Sequence, residues 1–121
     1  MVGADIDESI LFEEDRVKTY YVDQRSENSI VQMWAKVGMS NFDLMIDDGL
    51  HKFKPGICLF ENSIGRLGSL GHYIIEDVTP YEMLRYKSYF SERRFKIEYV
   101  SLNRPGIPVG DNQLIVIRLA R

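Results

Sequence analysis

The stretch that decides the fold is FDLMIDDGLH, residues 42–51. Its first five residues are almost all apolar, which is typical of a strand buried on both faces of a parallel sheet. Asp47 and Asp48 follow at once, and His51 comes three residues after Asp48. Since ligands bind beyond the carboxyl ends of parallel strands, this stretch predicts a binding loop.

Strands and helices alternate on both sides of this stretch. The predicted strands cover residues 2–6, 19–22, 42–46, 73–75, 95–99 and 114–117. The predicted helices are a weak, acidic one over 8–15, one capped by Ser26 or Asn28 and stopped at Gly38, one over 53–67 bracketed by Gly68 and Gly71, and one over 80–90 capped by Thr79. A loop with two prolines and two glycines covers residues 103–112.

This order predicts a single α/β domain over residues 1–121, with a Rossmann-like, mostly parallel sheet and helices on both faces. The last two strands are joined by a loop without a helix, so they should pair antiparallel. The chain has 121 residues, which is enough for one small domain and too few for two.

Composition excludes several classes of function. Fifteen basic and 18 acidic residues give a net charge of −3, which argues against a nucleic-acid partner. No apolar run is long enough to span a membrane, and the acidic start is unlike a signal peptide. Cys58 is the only cysteine, so no internal disulfide forms, and its apolar neighbours predict a core residue rather than a reactive thiol. We therefore expect a cytoplasmic protein with no membrane partner.

Acidic residues follow each of the first four predicted parallel strands. The residues at these strand ends are Asp5 and Asp7, Asp23 and Gln24, Asp47 and Asp48, and Glu76 and Asp77. Because these ends share one edge of the sheet, their mutual repulsion would cost stability unless a cation or cofactor hydroxyls lie among them.

Two chemical roles are compatible with this edge. Carboxylates at Asp48, Glu76 and Asp77 would suit Mg²⁺, Mn²⁺ or Ca²⁺ rather than zinc. His51 has a side chain suited to a general base that takes a hydroxyl proton. The simpler alternatives are that His51 is an ordinary loop residue, and that Glu76 and Asp77 cap the helix near Pro80.

Two motifs resemble a known family. The first is DLMIDDGLH, residues 43–51, and the second is GHYIIED, residues 71–77. Together they are similar to the Ile-Asp-Asp-Gly-Ser-His and Gly-Gly-x-Tyr-x-Ile-Glu-Asp motifs of class I, S-adenosylmethionine (SAM)-dependent methyltransferases, in the group of the macrocin and mycinamicin O-methyltransferases and the cephalosporin hydroxylase-like proteins. Leu50 replaces the serine, and His72 replaces the second glycine.

The resemblance implies a metal-dependent O-methyltransferase acting on a sugar or another small-molecule hydroxyl. Asp48, Glu76 and Asp77 would hold Mg²⁺ or Mn²⁺, and His51 would be the catalytic base beside Asp48. The metal would lower the pKa of the acceptor hydroxyl.

The resemblance also implies a set of SAM-binding residues. Asp5 would bind the ribose, Asp23 and Gln24 would lie near the adenine, and Asp47 would face the cofactor.

The family's first strand and its glycine-rich turn have no counterpart in the sequence, so the resemblance implies an N-terminally truncated domain. That strand lies in the middle of the family's sheet. Without it, the neighbouring strands must pair directly, leave a gap, or borrow a strand from another chain. We expect a closed-up sheet or a homodimer.

The alternatives to an active enzyme are an inactive truncated form and a non-catalytic Rossmann-like binding or interaction module. A nucleotide-dependent regulatory domain has little support, because the sequence contains no phosphate-binding loop.

Overall fold

Seven strands and three α-helices lie in the part of the chain that the computed structural model describes, residues 1–102, 105–106, 110 and 112–120. The strands are β1 (Val2–Asp5), β2 (Glu13–Glu14), β3 (Val17–Tyr21), β4 (Phe42–Asp47), β5 (Leu67–Val78), β6 (Phe95–Ser101) and β7 (Gln113–Leu119). The helices are α1 (Glu27–Val37), α2 (Phe53–Glu61) and α3 (Pro80–Phe90). Residues 103, 104, 107–109 and 111 of the predicted loop lie outside the described residues.

The strands form two sheets with the orders β1-β3-β2 and β4-β5-β7-β6. β1 pairs parallel with β3, and β4 pairs parallel with β5. β7 pairs antiparallel with both β5 and β6, as the missing helix between the last two strands predicts. The Rossmann-like α/β class and the antiparallel C-terminal hairpin are therefore confirmed.

The sheet does not close up between β1 and β4, so the expectation of a closed-up sheet is wrong for this chain. β1 pairs only with β3, and β4 pairs only with β5. The edges of these two strands both line one cleft. Of the three arrangements considered, the described residues adopt the one with a gap. The expected homodimer stays a prediction.

The helix starts follow the capping residues. Ser26 caps α1 by accepting a hydrogen bond of 3.1 Å from the Ser29 amide. Gly38 ends α1 with φ of 66°, a conformation that suits glycine. Thr79 caps α3 by accepting from the Glu82 amide at 3.3 Å, and Pro80 is the first helical residue. Local hydrogen bonding therefore fixes these boundaries, as the sequence predicts.

The predicted helix over residues 8–15 is wrong. Only a single 3₁₀ turn forms at Glu8–Ile10, and the chain then makes a short hairpin from β2 to β3. The Asp7 carboxylate accepts a hydrogen bond of 3.0 Å from the Ser9 amide, and the Thr19 hydroxyl donates to the Phe12 carbonyl at 2.7 Å. These polar contacts stabilise a turn, since the segment offers no apolar face that would anchor a helix.

The predicted helix over 53–67 is too long, because α2 ends at Glu61. The Asn62 side chain donates to the Cys58 carbonyl at 2.9 Å, and the buried Ser63 hydroxyl accepts from the Trp34 indole at 2.9 Å. The following strand, β5, begins at Leu67 and is twelve residues long rather than three. One local hydrogen bond, from Asn62, and one across the core, to Ser63, therefore end a helix that its apolar spacing would continue.

Gly68 and Gly71, the two glycines predicted to bracket the end of this helix, belong to β5 instead. A Cβ at Gly71 would lie 2.6 Å from the Phe42 carbonyl oxygen and 2.8 Å from a Leu67 methyl carbon. Glycine is therefore needed at this position because β4 approaches the backbone closely.

The three helices pack on the sheets through two core clusters. One cluster joins α1 to β3 and consists of Val22, Ile30, Met33, Trp34 and Val37. A second cluster joins α2 and α3 to β5 and β7 and includes Phe60, Tyr73, Ile75, Tyr86, Phe90, Ile115 and Ile117. Met45 of β4 packs against both clusters, so it connects the two halves of the core.

The opposite face of β4 is open. Leu44 and Ile46 are 52% and 51% exposed, so the predicted burial of this strand on both faces is wrong. No helix of the described residues packs on this face, and the gap beside β4 exposes its edge as well. None of the described helices has the length and apolar character that a membrane span needs.

Phe60→Ala should lower the free energy of unfolding by about 3–5 kcal/mol, because it leaves a cavity in the centre of the larger cluster. The Phe60 ring is 2% exposed and makes edge-on contacts with Tyr73, Phe90 and Phe95 at centroid distances of 5.2, 5.3 and 5.4 Å. Urea unfolding measures the loss. Leu84→Ala, at an exposed position of α3, is the control and should change stability by less than about 0.5 kcal/mol. Similar losses in both variants would contradict this description of the core.

Candidate functional site

The carboxyl ends of β1, β3 and β4 meet at one cleft of about 590 Å³ between the two sheets. The predicted site residues that line it are Asp5, Asp23, Gln24 and Asp48. The walls are the facing edges of β1 and β4, and α1 supplies Met33 and Trp34 to its lining. Three strand ends therefore place Asp5, Asp23 and Asp48 around one opening, while Glu76 and Asp77 of the predicted rim are not among its lining residues.

A cluster of three ligand-type side chains lies at the end of β4. One carboxylate oxygen each of Asp48 and Asp77 and a ring nitrogen of His51 lie within 4.8 Å of one another. His51 Nε2 is 3.7 Å from Asp48 Oδ1 and 3.8 Å from Asp77 Oδ2. All three side chains have solvent access, with exposed fractions between 38% and 63%. The group has the atoms and the open approach that a hydrated divalent cation requires.

Parallel pairing of β4 with β5 explains this convergence. Asp47, the last residue of β4, lies opposite Ile75, so the loop after β4 lies beside the last residues of β5, Glu76–Val78. His51 and Asp77 both have positive φ, 56° and 52°, which is uncommon for residues with side chains and costs of order 1 kcal/mol each. The chain therefore accepts local backbone strain at two of the three clustered positions.

Glu76, the remaining predicted metal ligand, does not belong to this cluster of ligand atoms. It precedes Asp77 on β5, where the pairing with β7 is irregular between Ile75 and Val78. Its role as a ligand stays a prediction. The helix-capping alternative for Glu76 and Asp77 finds no support, since Thr79 is the residue that caps α3.

Asp47 is buried and points into the protein. Both of its oxygens accept hydrogen bonds from the Gln24 side-chain amide, at 2.9 and 2.8 Å, and one also accepts from the Gly49 amide at 3.1 Å. Burial raises the pKa of the Asp47 carboxyl, and these hydrogen bonds oppose the rise. Asp47 is not part of the cleft lining, so its predicted contact with a cofactor stays a prediction.

Gln24 links the ends of β3 and β4. Besides its contact with Asp47, its carbonyl oxygen accepts a hydrogen bond of 3.0 Å from the Leu50 amide. The link joins one sheet to the other and holds the loop that carries His51. The sequence gives no signal for this link, since 23 positions separate Gln24 from Asp47.

The two remaining predicted cofactor residues have local partners. Asp5 accepts a hydrogen bond from the Asp7 amide at 2.8 Å and is partly buried at the end of β1. Asp23 forms two side-chain hydrogen bonds of 3.0 Å with the Arg25 guanidinium, which lowers the pKa of the Asp23 carboxyl. Both carboxylates line the cleft, and their predicted contacts with ribose and adenine stay predictions.

Sequence reasoning missed Glu82, which positions the loop before α2. Glu82 is 6% exposed, and its carboxylate accepts a hydrogen bond of 2.9 Å from the Phe53 amide. The residue before α2, Lys52, makes no capping contact with its own side chain. Thr79 and Glu82 have the spacing of a capping box, which predicts that the glutamate turns back to Thr79. Instead Glu82 caps the neighbouring helix, two residues after His51.

Solved structures share this arrangement of strands and helices. MycE, a methyltransferase from the mycinamycin biosynthetic pathway solved in complex with Mg and SAH, matches 99% of this chain at 19% identity with a TM-score of 0.64. An rRNA methylase from Streptococcus thermophilus matches 99% of the chain at 16% identity, also with a TM-score of 0.64. A TehB-like SAM-dependent methyltransferase from Corynebacterium glutamicum matches 99% at 13% identity, with a TM-score of 0.63.

The fold is that of the class I methyltransferases. The chain spans 37% of the length of MycE, 73% of the rRNA methylase and 67% of the TehB-like protein. No protein-family model matches the sequence, and no curated protein is significantly similar to it. At these sequence identities the likeness shows a shared fold only. The evidence for the site is the geometry of this chain's own residues.

Asp47→Asn should gain stability relative to the wild type as the pH rises. Because the folded-state pKa of Asp47 is raised, its stabilising contribution is full below the ordinary aspartate pKa of about 4 and is lost as the pH rises through the folded-state value. Asparagine carries no charge and shows no such loss. Urea unfolding at several pH values from about 3.5 to 7 measures the difference between the two proteins.

Asp43→Asn is the matched control, because Asp43 is an exposed aspartate on the same strand. It corrects for the removal of one negative charge from β4. If the curves of wild type and Asp47→Asn ran parallel over the whole pH range, the buried carboxylate would not be the source of the pH dependence.

Proposed function

We propose that this chain belongs to a SAM-dependent, divalent-metal-dependent O-methyltransferase, which methylates a hydroxyl of a sugar or another small molecule. The observation that carries the proposal is the convergence of Asp48, His51 and Asp77. Of these three residues, Asp48 also lines the cleft between β1 and β4. The Mg- and SAH-bound state of MycE, which has the same fold, supports both cofactors.

The donor set fits the metal. The carboxylates of Asp48 and Asp77 offer the hard oxygen atoms that Mg²⁺ and Mn²⁺ prefer. In the proposal Asp48 and Asp77 would hold the ion, and Glu76 would be a further ligand. The bound ion would polarise an acceptor hydroxyl and lower its pKa.

His51 takes the hydroxyl proton at Nε2. The carboxylates of Asp48 and Asp77 both lie within 4 Å of that nitrogen. The Glu82 cap on α2 and the Gln24 contact with Leu50 hold the His51 loop from both sides. Fixed positioning of base and acceptor supplies a large part of the rate in such reactions.

Asp5 and Asp23 bind the cofactor in this proposal. A carboxylate at the end of β1 accepts hydrogen bonds from the two ribose hydroxyls, as acidic residues do in other nucleotide-binding sheets. Asp23 and Gln24 border the part of the cleft nearest α1, where Met33 and Trp34 offer apolar contact to a purine. Asp47 acts indirectly, by holding Gln24 in place.

Mg²⁺ or Mn²⁺ should raise the melting temperature of the wild type. At about ten times the dissociation constant, binding adds about 1.4 kcal/mol, which corresponds to several degrees for a chain of this size. Asp77→Asn should abolish this shift, because it removes one of the two charged ligands, and should barely change stability without metal. Calorimetric melting with metal or with EDTA measures both effects.

Two further variants test the roles of Glu76 and His51. Glu76→Gln should reduce the metal shift only partly, since Glu76 is outside the close cluster. His51→Gln should keep the shift, because the base does not hold the ion in this proposal. A lost shift in His51→Gln would make His51 a ligand instead of the base, and an unchanged shift in Asp77→Asn would contradict the metal site.

Titration calorimetry with SAM tests the cofactor. We expect measurable binding at millimolar SAM, and Asp5→Asn should weaken it at least tenfold by removing a ribose acceptor. Asp15→Asn, an exposed position in the β2–β3 turn outside the cleft lining, is the control and should leave the affinity unchanged.

The open cleft between the sheets favours a second candidate function, a non-catalytic Rossmann-like binding module. This candidate predicts no heat with SAM at millimolar concentration in either the presence or the absence of Mg²⁺. The same calorimetry therefore separates an enzyme from a module.

A further inference from the structure

We propose that Tyr81 and Arg85 of α3 form an acceptor platform for an acidic sugar, in which the Tyr81 ring stacks on the sugar and Arg85 binds an oxyanion group, a carboxylate or a phosphate. The inference rests on the proposed function, because it names the acceptor class of that methyltransferase site. The platform lies at the start of α3, and neither residue belongs to the lining of the cleft between β1 and β4.

The platform adjoins the residues of the metal cluster. Tyr81 follows Asp77 by four positions, and Phe53 follows His51 by two. Because a chain spans at most about 3.6 Å per residue, the Cα atoms of Phe53 and His51 lie within about 7 Å, and those of Tyr81 and Asp77 within about 14 Å. The Arg85 guanidinium carbon is 4.5 Å from the centroid of the Phe53 ring and 5.9 Å from that of the Tyr81 ring. Arg85 therefore bridges the two segments that carry His51 and Asp77.

Tyr81 presents an aromatic ring to solvent. The residue is 69% exposed and lies in the first turn of α3. Single exposed apolar residues are common, so its position beside Arg85 and Asp77 carries the argument rather than its exposure alone. The face of an aromatic ring is partly negative, and it attracts the partly positive C–H bonds on the apolar face of a sugar. A sugar stacked on Tyr81 would therefore lie next to the ligands proposed to hold the metal.

Arg85 has hydrogen-bond donors left for an anion. Its ion-pair partner Glu82 has Oε2 at 3.8 Å from Nη1, a distance longer than a direct hydrogen bond. That same oxygen accepts a hydrogen bond of 2.9 Å from the Phe53 amide. The Arg85 side chain is 36% exposed, and a guanidinium group carries five N–H donors in a geometry that matches an oxyanion. Contact with the Phe53 ring also orders the guanidinium before a ligand arrives.

Positive charge is concentrated on this side of the site. Lys52 and Lys54 are exposed, and they flank Phe53, whose ring contacts Arg85. The whole chain, by contrast, has a net charge of −3. Three cations at this position attract an anionic acceptor and offset its repulsion from the carboxylates of the metal cluster. A neutral acceptor gains nothing from this distribution of charge.

The test uses the full chain with saturating Mg²⁺ and three probes: D-glucuronate, D-glucose 6-phosphate and D-glucose. Ligand-observed NMR titration measures their dissociation constants. We expect the anionic probes to bind about tenfold more tightly than glucose, because hydrogen bonds between charged groups are the stronger ones. A preference for only one of the two anions would support the proposal and identify the group that Arg85 recognises.

Arg85→Gln should reduce the preference for the anionic probes to less than about threefold and leave the affinity for glucose unchanged. Arg85→Lys keeps the charge and should retain most of the preference. Tyr81→Ala should weaken the binding of all three probes by a similar factor, because each contains the stacking ring. Leu84→Ala, at an exposed position of the same helix, is the control and should change none of the constants.

A second measurement needs no variant. Raising the NaCl concentration from about 0.05 to about 0.5 M should lower the anion preference of the wild type at least threefold, because salt screens exposed charges. This readout keeps the test decisive if Arg85→Gln does not fold.

Several results would overturn the proposal. They are equal binding of all three probes to the wild type, an anion preference that survives Arg85→Gln or high salt, and an equal loss of all three probes in Arg85→Gln. The last result would make Arg85 a structural link between α2 and α3. Metal and SAM binding are measured separately, so intact binding of both without an anion preference would leave the methyltransferase proposal standing with another acceptor class. Loss of both would remove that proposal and this inference with it.

Discussion

The parallel pairing of β4 with β5 is the constraint on which the rest of the structure depends. It aligns the carboxyl ends of two strands, so Asp48 and Asp77 meet although 29 positions separate them in the chain. The close approach that this pairing needs explains Gly71, where a side chain would collide with the Phe42 carbonyl. The pairing also turns Met45 toward the helices, where it packs against both clusters of the core.

The second determining feature is how the two sheets are held together without a shared strand. The side-chain contacts that bridge them include those of Gln24 with Asp47, Trp34 with Ser63, and Trp34 with Phe42. The first is a charge-assisted hydrogen bond to a buried carboxylate, and such bonds contribute about 1.5–3 kcal/mol each. The strength of this hydrogen bond depends on pH, because burial opposes the charge of Asp47. Gln24 also accepts a hydrogen bond from the Leu50 amide. The residue that joins the two sheets therefore also positions the His51 loop.

Local sequence signals predict much of the fold. Ser26, Gly38, Thr79 and Pro80 mark helix boundaries through hydrogen bonds and backbone angles within a few residues, and all four act as predicted. The errors arise where distant residues decide. Ser63 ends α2 early because Trp34 reaches it from another helix, and Leu44 and Ile46 are half exposed because no described element covers that side of β4. Spacing along a chain carries no information about such partners.

The sequence by itself determined the alternation of strands and helices, the antiparallel end and the identity of the acidic residues at each strand end, because these follow from periodicity and from contacts between near neighbours. Only the tertiary structure decided which of those residues meet. It brought Asp48, His51 and Asp77 together, turned Asp47 inward to Gln24, and separated β1 from β4. These outcomes depend on strand register and on burial, which are properties of the assembled sheets and helices and not of any one segment.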